Sequence, residues 1–153
     1  MKLHTYILII LNFLFLNLIF SQEETTKFYI TELRGDISLE MEINNLESNK
    51  GLVFIRILNE NENPVIVGTS PVINFSAEIS FDSISPGKYA IQFFHDENEN
   101  QKMDFNLIGI PKEKFGSSND VKPILGPPKF EKMLFEIYQD KKIVMKPVLL
   151  INN

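Results

Sequence analysis

Oxygen-bearing side chains recur at alternate positions in the segment from residue 95 to 104, which reads HDENENQKMD. Counted from Asp96, they occupy positions 1, 3, 5 and 9 of a calcium-binding loop, and position 7 supplies a backbone carbonyl. Ca²⁺ takes six to eight oxygen ligands, and alternate side chains of a curled loop converge on one point. The spacing therefore predicts a calcium loop. Its predicted ligands are Asp96, Asn98, Asn100, Lys102 (through its carbonyl) and Asp104.

Two positions differ from a tight calcium loop. Position 6, where a sharp turn favours glycine, is Gln101, and position 12, where a bidentate glutamate is usual, is Leu107. Glu113 in the following segment is a candidate to close the site in place of position 12. We expect a weak affinity of roughly 10⁻⁴–10⁻³ M, as in extracellular modules. The alternative is a solvated hairpin tip, where Asn and Asp serve turn chemistry.

The second candidate chemistry centres on His95, which precedes Asp96 and lies some twenty residues before Ser117 and Ser118. A Ser-His-Asp arrangement would make a hydrolase, but no Gly-x-Ser-x-Gly nucleophile turn is present. The alternative is that His95 hydrogen-bonds the loop and fixes its entry angle. The chain has no cysteine, which excludes thiolate nucleophiles, disulfides and cysteine-ligated zinc.

Composition limits the class of protein that carries these residues. The 153 residues are 44% apolar and 23% charged, as in an ordinary folded domain. The formal net charge of −5 argues against a nucleic-acid partner, because such proteins need a basic surface to neutralise phosphates. The length fits one domain.

The N-terminal segment predicts export. Lys2 and His4 precede a mostly apolar run from Tyr6 to Phe20, and Ser21 suits a cleavage site. The alternative to a cleaved signal peptide is an uncleaved membrane anchor. The apolar run is shorter than the ~20 residues that a membrane-spanning helix needs. We predict a signal peptide at 1–21, a lead-in at 22–35, and one domain at 36–151. The mature protein is then secreted or periplasmic and has no membrane span.

The domain reads as β-structure. Period-two alternation of apolar residues predicts half-buried strands. The inward sets are Ile37, Leu39, Met41 and Ile43; Phe75, Ala77, Ile79 and Phe81; and Tyr89, Ile91 and Phe93. The run from Leu52 to Leu58, apolar on both faces except at Arg56, predicts a central strand. Phe28 to Leu33 and Val65 to Val67 predict weaker strands.

The C-terminal region predicts strands at Lys132–Tyr138 and Lys142–Leu150, joined by a tight hairpin at Gln139–Lys141. Pro147 cannot donate a ladder hydrogen bond, so the last strand should be an edge strand or carry a bulge. The fold predicted is all-β: an antiparallel immunoglobulin-like or transthyretin-like β-sandwich of about seven strands.

One long interval, residues 96–129, contains no confident strand but several apolar residues that should pack onto the sandwich. Long loops on rigid scaffolds commonly carry function. We expect most phenylalanines on strands to belong to the core. The binding candidates in or beside the loop are His95, Glu113, Phe115, Ser118, Asn119 and Phe130.

Four sequence blocks resemble the bacterial domain of unknown function 2141. The blocks are Gly87–Ile91, His95–Asp104, Gly109–Asn119 and Gly126–Phe130, and the resemblance extends over about Ile37 to Leu150. It implies a secreted or periplasmic β-sandwich without an assigned activity, with function placed in Asp96–Phe130. In that family, glycine usually stands where this chain has Glu99 and Gln101.

These observations lead to two hypotheses. The first is an exported, non-enzymatic sandwich module, stabilised by Ca²⁺, that binds a surface polysaccharide or a protein through the 96–130 loop. The alternative is a hydrolase that uses His95 with a loop serine or carboxylate.

Overall fold

The computed structural model describes residues 27–30, 34–123 and 128–148. The predicted signal peptide, most of the lead-in and the chain after residue 148 lie outside these residues. The described strands are β1 (Lys27–Ile30), β2 (Ile37–Ile43), β3 (Leu52–Asn59), β4 (Pro64–Pro71), β5 (Ala77–Ile84), β6 (Gly87–Asp96), β7 (Phe115–Ser117), β8 (Phe135–Ile137) and β9 (Lys141–Met145). A 3₁₀ turn (Ser118–Asp120) and a one-turn helix, α1 (Phe130–Met133), are also present.

The strands form two sheets, which confirms the predicted all-β sandwich. The larger sheet has the order β1-β4-β3-β6-β7, and β8 pairs with β6 beside β7. The smaller sheet has the order β5-β2-β9. The prediction of a purely antiparallel fold is wrong at one place, because β2 and β9 run parallel.

The core lies between the sheets and follows the predicted alternation. The inward residues of β2 are buried, as are Ala77, Ile79 and Phe81 of β5 and Tyr89, Ile91 and Phe93 of β6. Phe75 is an error in this prediction: it precedes β5, has a positive φ of 60°, and is 51% exposed. A turn between Ile73 and Ser76 precedes β5, so the alternation begins at Ala77, one step later than the sequence suggests.

Strand β4 is longer than the predicted Val65–Val67. It continues to Pro71 because the small residues Gly68 and Ser70 are buried on its inward face. The Ser70 hydroxyl donates to the Glu78 carbonyl at 3.3 Å, so this polar group is satisfied inside the fold. β1 pairs with the outer side of β4, in agreement with the weak strand expected near Phe28.

The predicted C-terminal hairpin is wrong. β8 pairs with β6 in the larger sheet, whereas β9 pairs with β2 in the smaller one. The segment between them crosses from one sheet to the other, and the Asp140 carboxylate accepts the Ser38 N–H at 2.9 Å. The first residues of the predicted penultimate strand lie instead in α1. β9 is an edge strand that ends before Pro147, as expected.

The described part of the interval 96–129, which leaves out residues 124–127, contains one unpredicted strand, β7, which pairs with β6. The expectation that its apolar residues pack onto the sandwich is wrong for three of them. Phe105, Leu107 and Ile108 are 55%, 107% and 79% exposed, at the tip of a turn in which Phe105 bridges Pro111.

Candidate functional site

The predicted calcium loop begins where β6 ends. Asp96 is fully buried, and its carboxylate accepts the N–H of Asn100 at 3.2 Å and of Gln101 at 2.7 Å. The side chains of Asn98 and Asn100 donate to the two oxygens of Asp104, at 2.7 and 3.1 Å. The structure therefore brings four of the predicted side chains together in one curled loop.

The remaining predicted ligand, Lys102, contributes its N–H to the Asn100 amide oxygen at 2.8 Å. The Asn98 amide oxygen similarly accepts the Asn100 N–H at 3.1 Å. In the described part of the chain, no group of three or more His, Asp or Glu side chains is arranged to hold a metal ion. The calcium site stays a prediction.

Glu113 lies over this loop, as the sequence suggested. Its carboxylate accepts the Asp104 N–H at 3.0 Å. Desolvation raises the pKa of Glu113, and the negative charges of Asp96 and Asp104 raise that pKa further. The ionised form of Glu113 is therefore disfavoured in the folded loop.

The loop adopts the left-handed conformation at two residues that lack glycine's freedom. Glu99 has a φ of 57° and Gln101 a φ of 64°. Each costs on the order of 1 kcal/mol relative to a residue without a Cβ atom.

Replacing Gln101 by Gly should raise the free energy of unfolding, by about 0.5 kcal/mol. Relief of the left-handed strain exceeds the greater freedom that glycine gives the unfolded chain. Lys102→Gly is the matched control, because Lys102 has no positive φ. That variant should lose about 0.5–1 kcal/mol of the free energy of unfolding. Urea denaturation of both variants measures whether the free energy of unfolding rises for Gln101→Gly and falls for Lys102→Gly. Equal losses would show that Gln101 is not strained.

His95 is fully buried and anchors the base of the loop. Its Nε2 lies 2.8 Å from the Lys50 carbonyl, which requires a proton on Nε2, and its backbone N–H donates to the Lys114 carbonyl at 2.8 Å. Nδ1 lies 3.6 Å from the Glu97 carboxylate and has no hydrogen-bond partner among the described residues. This arrangement matches the structural role considered for His95.

The serines of the hydrolase alternative have other partners. The Ser118 hydroxyl donates to the Met133 carbonyl at 2.5 Å and accepts the Ile91 N–H at 3.0 Å. The Ser117 hydroxyl donates to the Val121 carbonyl at 3.5 Å. The structure thus does not join His95 to either serine, and the hydrolase hypothesis gains no support from this geometry.

Two further candidates, Asn119 and Phe130, lie in the segment that follows β7. The Asn119 amide donates to the carbonyls of Lys132 and Leu134, at 2.9 and 3.0 Å, and so ties the 3₁₀ turn to the end of α1. Phe130 is half-buried at the start of α1. These contacts fix the position of the segment that follows β7 against the larger sheet.

An apolar groove lies on the outer face of the larger sheet, beneath that segment. Because side chains alternate along a strand, Phe54 and Phe94 face away from the core that holds Ile55 and Phe93. Phe94 pairs with Phe54 on β3 and with Phe115 on β7, so three phenylalanines form one row, the aromatic row. The rings of Phe54 and Phe94 stack with centroids 5.1 Å apart.

A second row, the polar row, consists of Arg56, Gln92 and Ser117. On each strand its member lies two residues from the phenylalanine of the aromatic row. Gln92 pairs with Arg56 on β3 and with Ser117 on β7. Arg56 Nε donates to the Gln92 side-chain oxygen at 2.6 Å. The two rows lie about 7 Å apart, the rise of two strand residues.

The groove has a volume of about 380 Å³ and is lined mainly by apolar side chains. Met103, Val121, Pro128 and Met133 complete its lining from the segment after β6. Ligand pockets in proteins occupy about 300–1,000 Å³ and have this composition: apolar and aromatic walls with few polar groups. Among the lining residues, Arg56 is the one with a charged side chain.

Sequence reasoning found Phe115 but missed Phe54, Arg56, Gln92 and Phe94. The expectation that strand phenylalanines belong to the core is wrong for Phe54 and Phe94, because the larger sheet has apolar residues on both faces. The signal was present in β3, which is apolar on both faces except at Arg56. A strand of that kind needs a cover on its second face, and the described part of the covering segment leaves a groove.

No helix in the described ranges is both long and apolar enough to cross a membrane.

Comparison with known proteins identifies the family. A family model described as an uncharacterised protein conserved in bacteria (DUF2141) matches residues 41–145, and that range holds the four sequence blocks and the groove-lining residues. No curated protein and no solved structure matches the chain. Because the match covers more than half of the 153 residues and confirms the resemblance seen in the sequence, this chain belongs to the DUF2141 family.

Proposed function

We propose that this protein is an exported, non-enzymatic β-sandwich module that binds the apolar part of a ligand in the outer groove of its larger sheet. The observation that carries the proposal is the aromatic row of Phe54, Phe94 and Phe115, which forms the floor of a groove of about 380 Å³. Aromatic and aliphatic walls with few polar groups are typical of small-ligand sites. The segment after β6 supplies one wall, in keeping with a loop that binds the ligand.

The lining favours an apolar group over an unmodified polysaccharide or a purely polar peptide. Sugars need many hydrogen-bonding partners, whereas this groove offers mainly phenyl rings, methionines and aliphatic side chains. A lipid, an acylated polymer or an apolar side chain of a partner protein would bury its apolar surface here. Each Å² removed from water contributes about 25 cal/mol.

A neutral fluorescent probe tests this proposal. N-phenyl-1-naphthylamine should gain fluorescence with the wild type and bind Phe94→Ser about tenfold more weakly, because that variant removes a ring from the groove floor. Phe75→Ser is the matched control, since Phe75 is exposed and lies outside the groove. Equal binding by the wild type and Phe94→Ser would place the probe elsewhere and contradict the proposal.

Export of the module rests on the sequence of residues 1–21, and we expect the mature chain to begin at Gln22. Intact-mass measurement of the protein recovered from the cell that makes it tests this expectation. A mass that retains residues 1–21 would mean a membrane anchor rather than a cleaved signal peptide.

Ca²⁺ is proposed to stabilise the loop of residues 96–104. The supporting contacts are the convergence of Asn98 and Asn100 on Asp104, and the placement of the Glu113 carboxylate on the Asp104 N–H. A cation would replace the amide donors that now satisfy Asp104. Its proposed role is to hold the loop that enters the groove wall through Met103.

A further inference from the structure

Among the described residues that line the groove, Arg56 is the one with a charged side chain, and it is exposed and forms no ion pair with them. Its neighbours across the strands are Val67 on β4 and Gln92 on β6, neither of which is acidic. Within the described ranges Arg56 forms no salt bridge, although acidic residues outnumber basic ones in this chain by 20 to 15. A cation without a carboxylate partner in an acidic protein is available to a ligand.

The guanidinium is also held in a defined position. Nε–H donates to the Gln92 side-chain oxygen at 2.6 Å, and the Gln92 amide contacts the Met133 sulfur at 3.6 Å. An arginine side chain has five N–H donors, so four remain on the two terminal nitrogens. Those four donors have no hydrogen-bond partner among the described residues. A planar guanidinium with free terminal donors matches the geometry of a carboxylate.

The two rows of the groove therefore offer two kinds of contact about 7 Å apart. The aromatic row receives an apolar body, and the polar row presents a cation to a head group. From this we infer that the ligand is an amphiphilic carboxylic acid, whose apolar chain or ring lies on Phe54 and Phe94 and whose carboxylate binds Arg56. The inference rests on the proposed function of the groove and adds the head group to it.

Calorimetric titration with three ligands of equal chain length tests the inference at neutral pH. The ligands are decanoate, 1-decanol and decyltrimethylammonium. We expect the wild type to bind decanoate at least tenfold more tightly than decyltrimethylammonium. Arg56→Gln should weaken decanoate binding about tenfold or more, because a hydrogen bond to a charged group is lost, and should leave decanol binding unchanged.

Arg34→Gln is the matched control, because it removes the chain's other arginine and the same charge from a position outside the groove. It should bind all three ligands as the wild type does. If decanoate binds Arg56→Gln as tightly as the wild type, or binds no better than the ammonium compound, the carboxylate inference is wrong. Decanol binding separates the two proposals. If the carboxylate inference fails but decanol still binds, the groove proposal stands. If the wild type binds none of the three ligands, both proposals are wrong.

Discussion

Replacing Phe93 by Ala is expected to lower the free energy of unfolding by about 3–5 kcal/mol. Phe93 is 4% exposed and belongs to the core cluster between the two sheets. Its ring also fills the space beside Gly116, where an added Cβ atom would collide with it. Truncation therefore removes buried apolar surface and leaves a cavity bounded by two strands. Domains of this size have a total stability of about 5–15 kcal/mol, so the loss is a large fraction of it.

Phe94→Ala is the control for this prediction. It makes the same substitution one residue along β6, on the outer face, where the ring is only half-buried in the groove. Urea denaturation of both variants should show a clearly smaller loss for Phe94→Ala. Equal losses, or an unchanged midpoint for Phe93→Ala, would mean that the alternation of β6 is assigned to the wrong faces.

Calcium should raise the free energy of unfolding by about 2.7 kcal/mol at 10 mM. A ligand that binds only the folded state stabilises it by RT ln(1 + [L]/Kd), and 10 mM is about 100-fold above a Kd near 10⁻⁴ M. The expected shift in melting temperature is several degrees. The expected source of the effect is the attraction of the cation to the carboxylates of Asp96 and Asp104, whose charges raise the pKa of Glu113. Mg²⁺ should shift the melting temperature less, because it requires a tighter octahedral site.

The double variant Asp96→Asn, Asp104→Asn should lose the calcium shift and keep the fold. Its matched control is Glu78→Gln, Asp82→Asn, which removes two charges from the exposed side of β5 and should keep the shift. Thermal melts with and without Ca²⁺ measure all three proteins. A shift of the same size in the wild type and in the loop variant would contradict the calcium site. The loop would then be a hairpin tip held by its own amide hydrogen bonds.

The sequence predicted the strands whose periodicity is local. β2 and β5 alternate apolar and polar residues because one face of each is buried. β3 is apolar on both faces because it lies between β4 and β6 in the larger sheet, with the core on one side and the groove on the other. In these strands the burial of each residue follows from its immediate neighbours in sequence, which is why the pattern alone suffices.

The errors arose where pairing depends on distant strands. The residues before and after Tyr138 resemble two arms of a hairpin, but nothing local shows that β9 pairs with β2, about a hundred residues earlier. The sequence predicts only Val65–Val67 for β4, whereas the strand continues through Gly68 and Ser70, small residues packed on its inward face. Phe75 fits the period-two pattern of β5, but it lies in the turn that precedes that strand.

The two parts of the candidate site differ in the same way. The loop of residues 96–104 is local, and Asn98, Asn100 and Asp104, which the sequence predicts as calcium ligands, hydrogen-bond one another there. The groove is not local: its rows consist of residues from β3, β6 and β7 that become neighbours only through strand pairing. The periodicity of a single sequence cannot supply the register between strands. It also cannot tell a phenylalanine that faces the core from one that faces the groove.

The groove itself is the central claim, and intermolecular nuclear Overhauser effects from a bound neutral ligand test it most directly. With ¹³C-labelled protein and unlabelled 1-decanol, we predict contacts from the alkyl chain to the ring protons of Phe54, Phe94 and Phe115 and to the methyl group of Met133. Contacts confined to the exposed rings of Phe75 or Phe105, or no contacts at ligand concentrations that saturate the calorimetric signal, would contradict a binding groove on the outer face of the larger sheet.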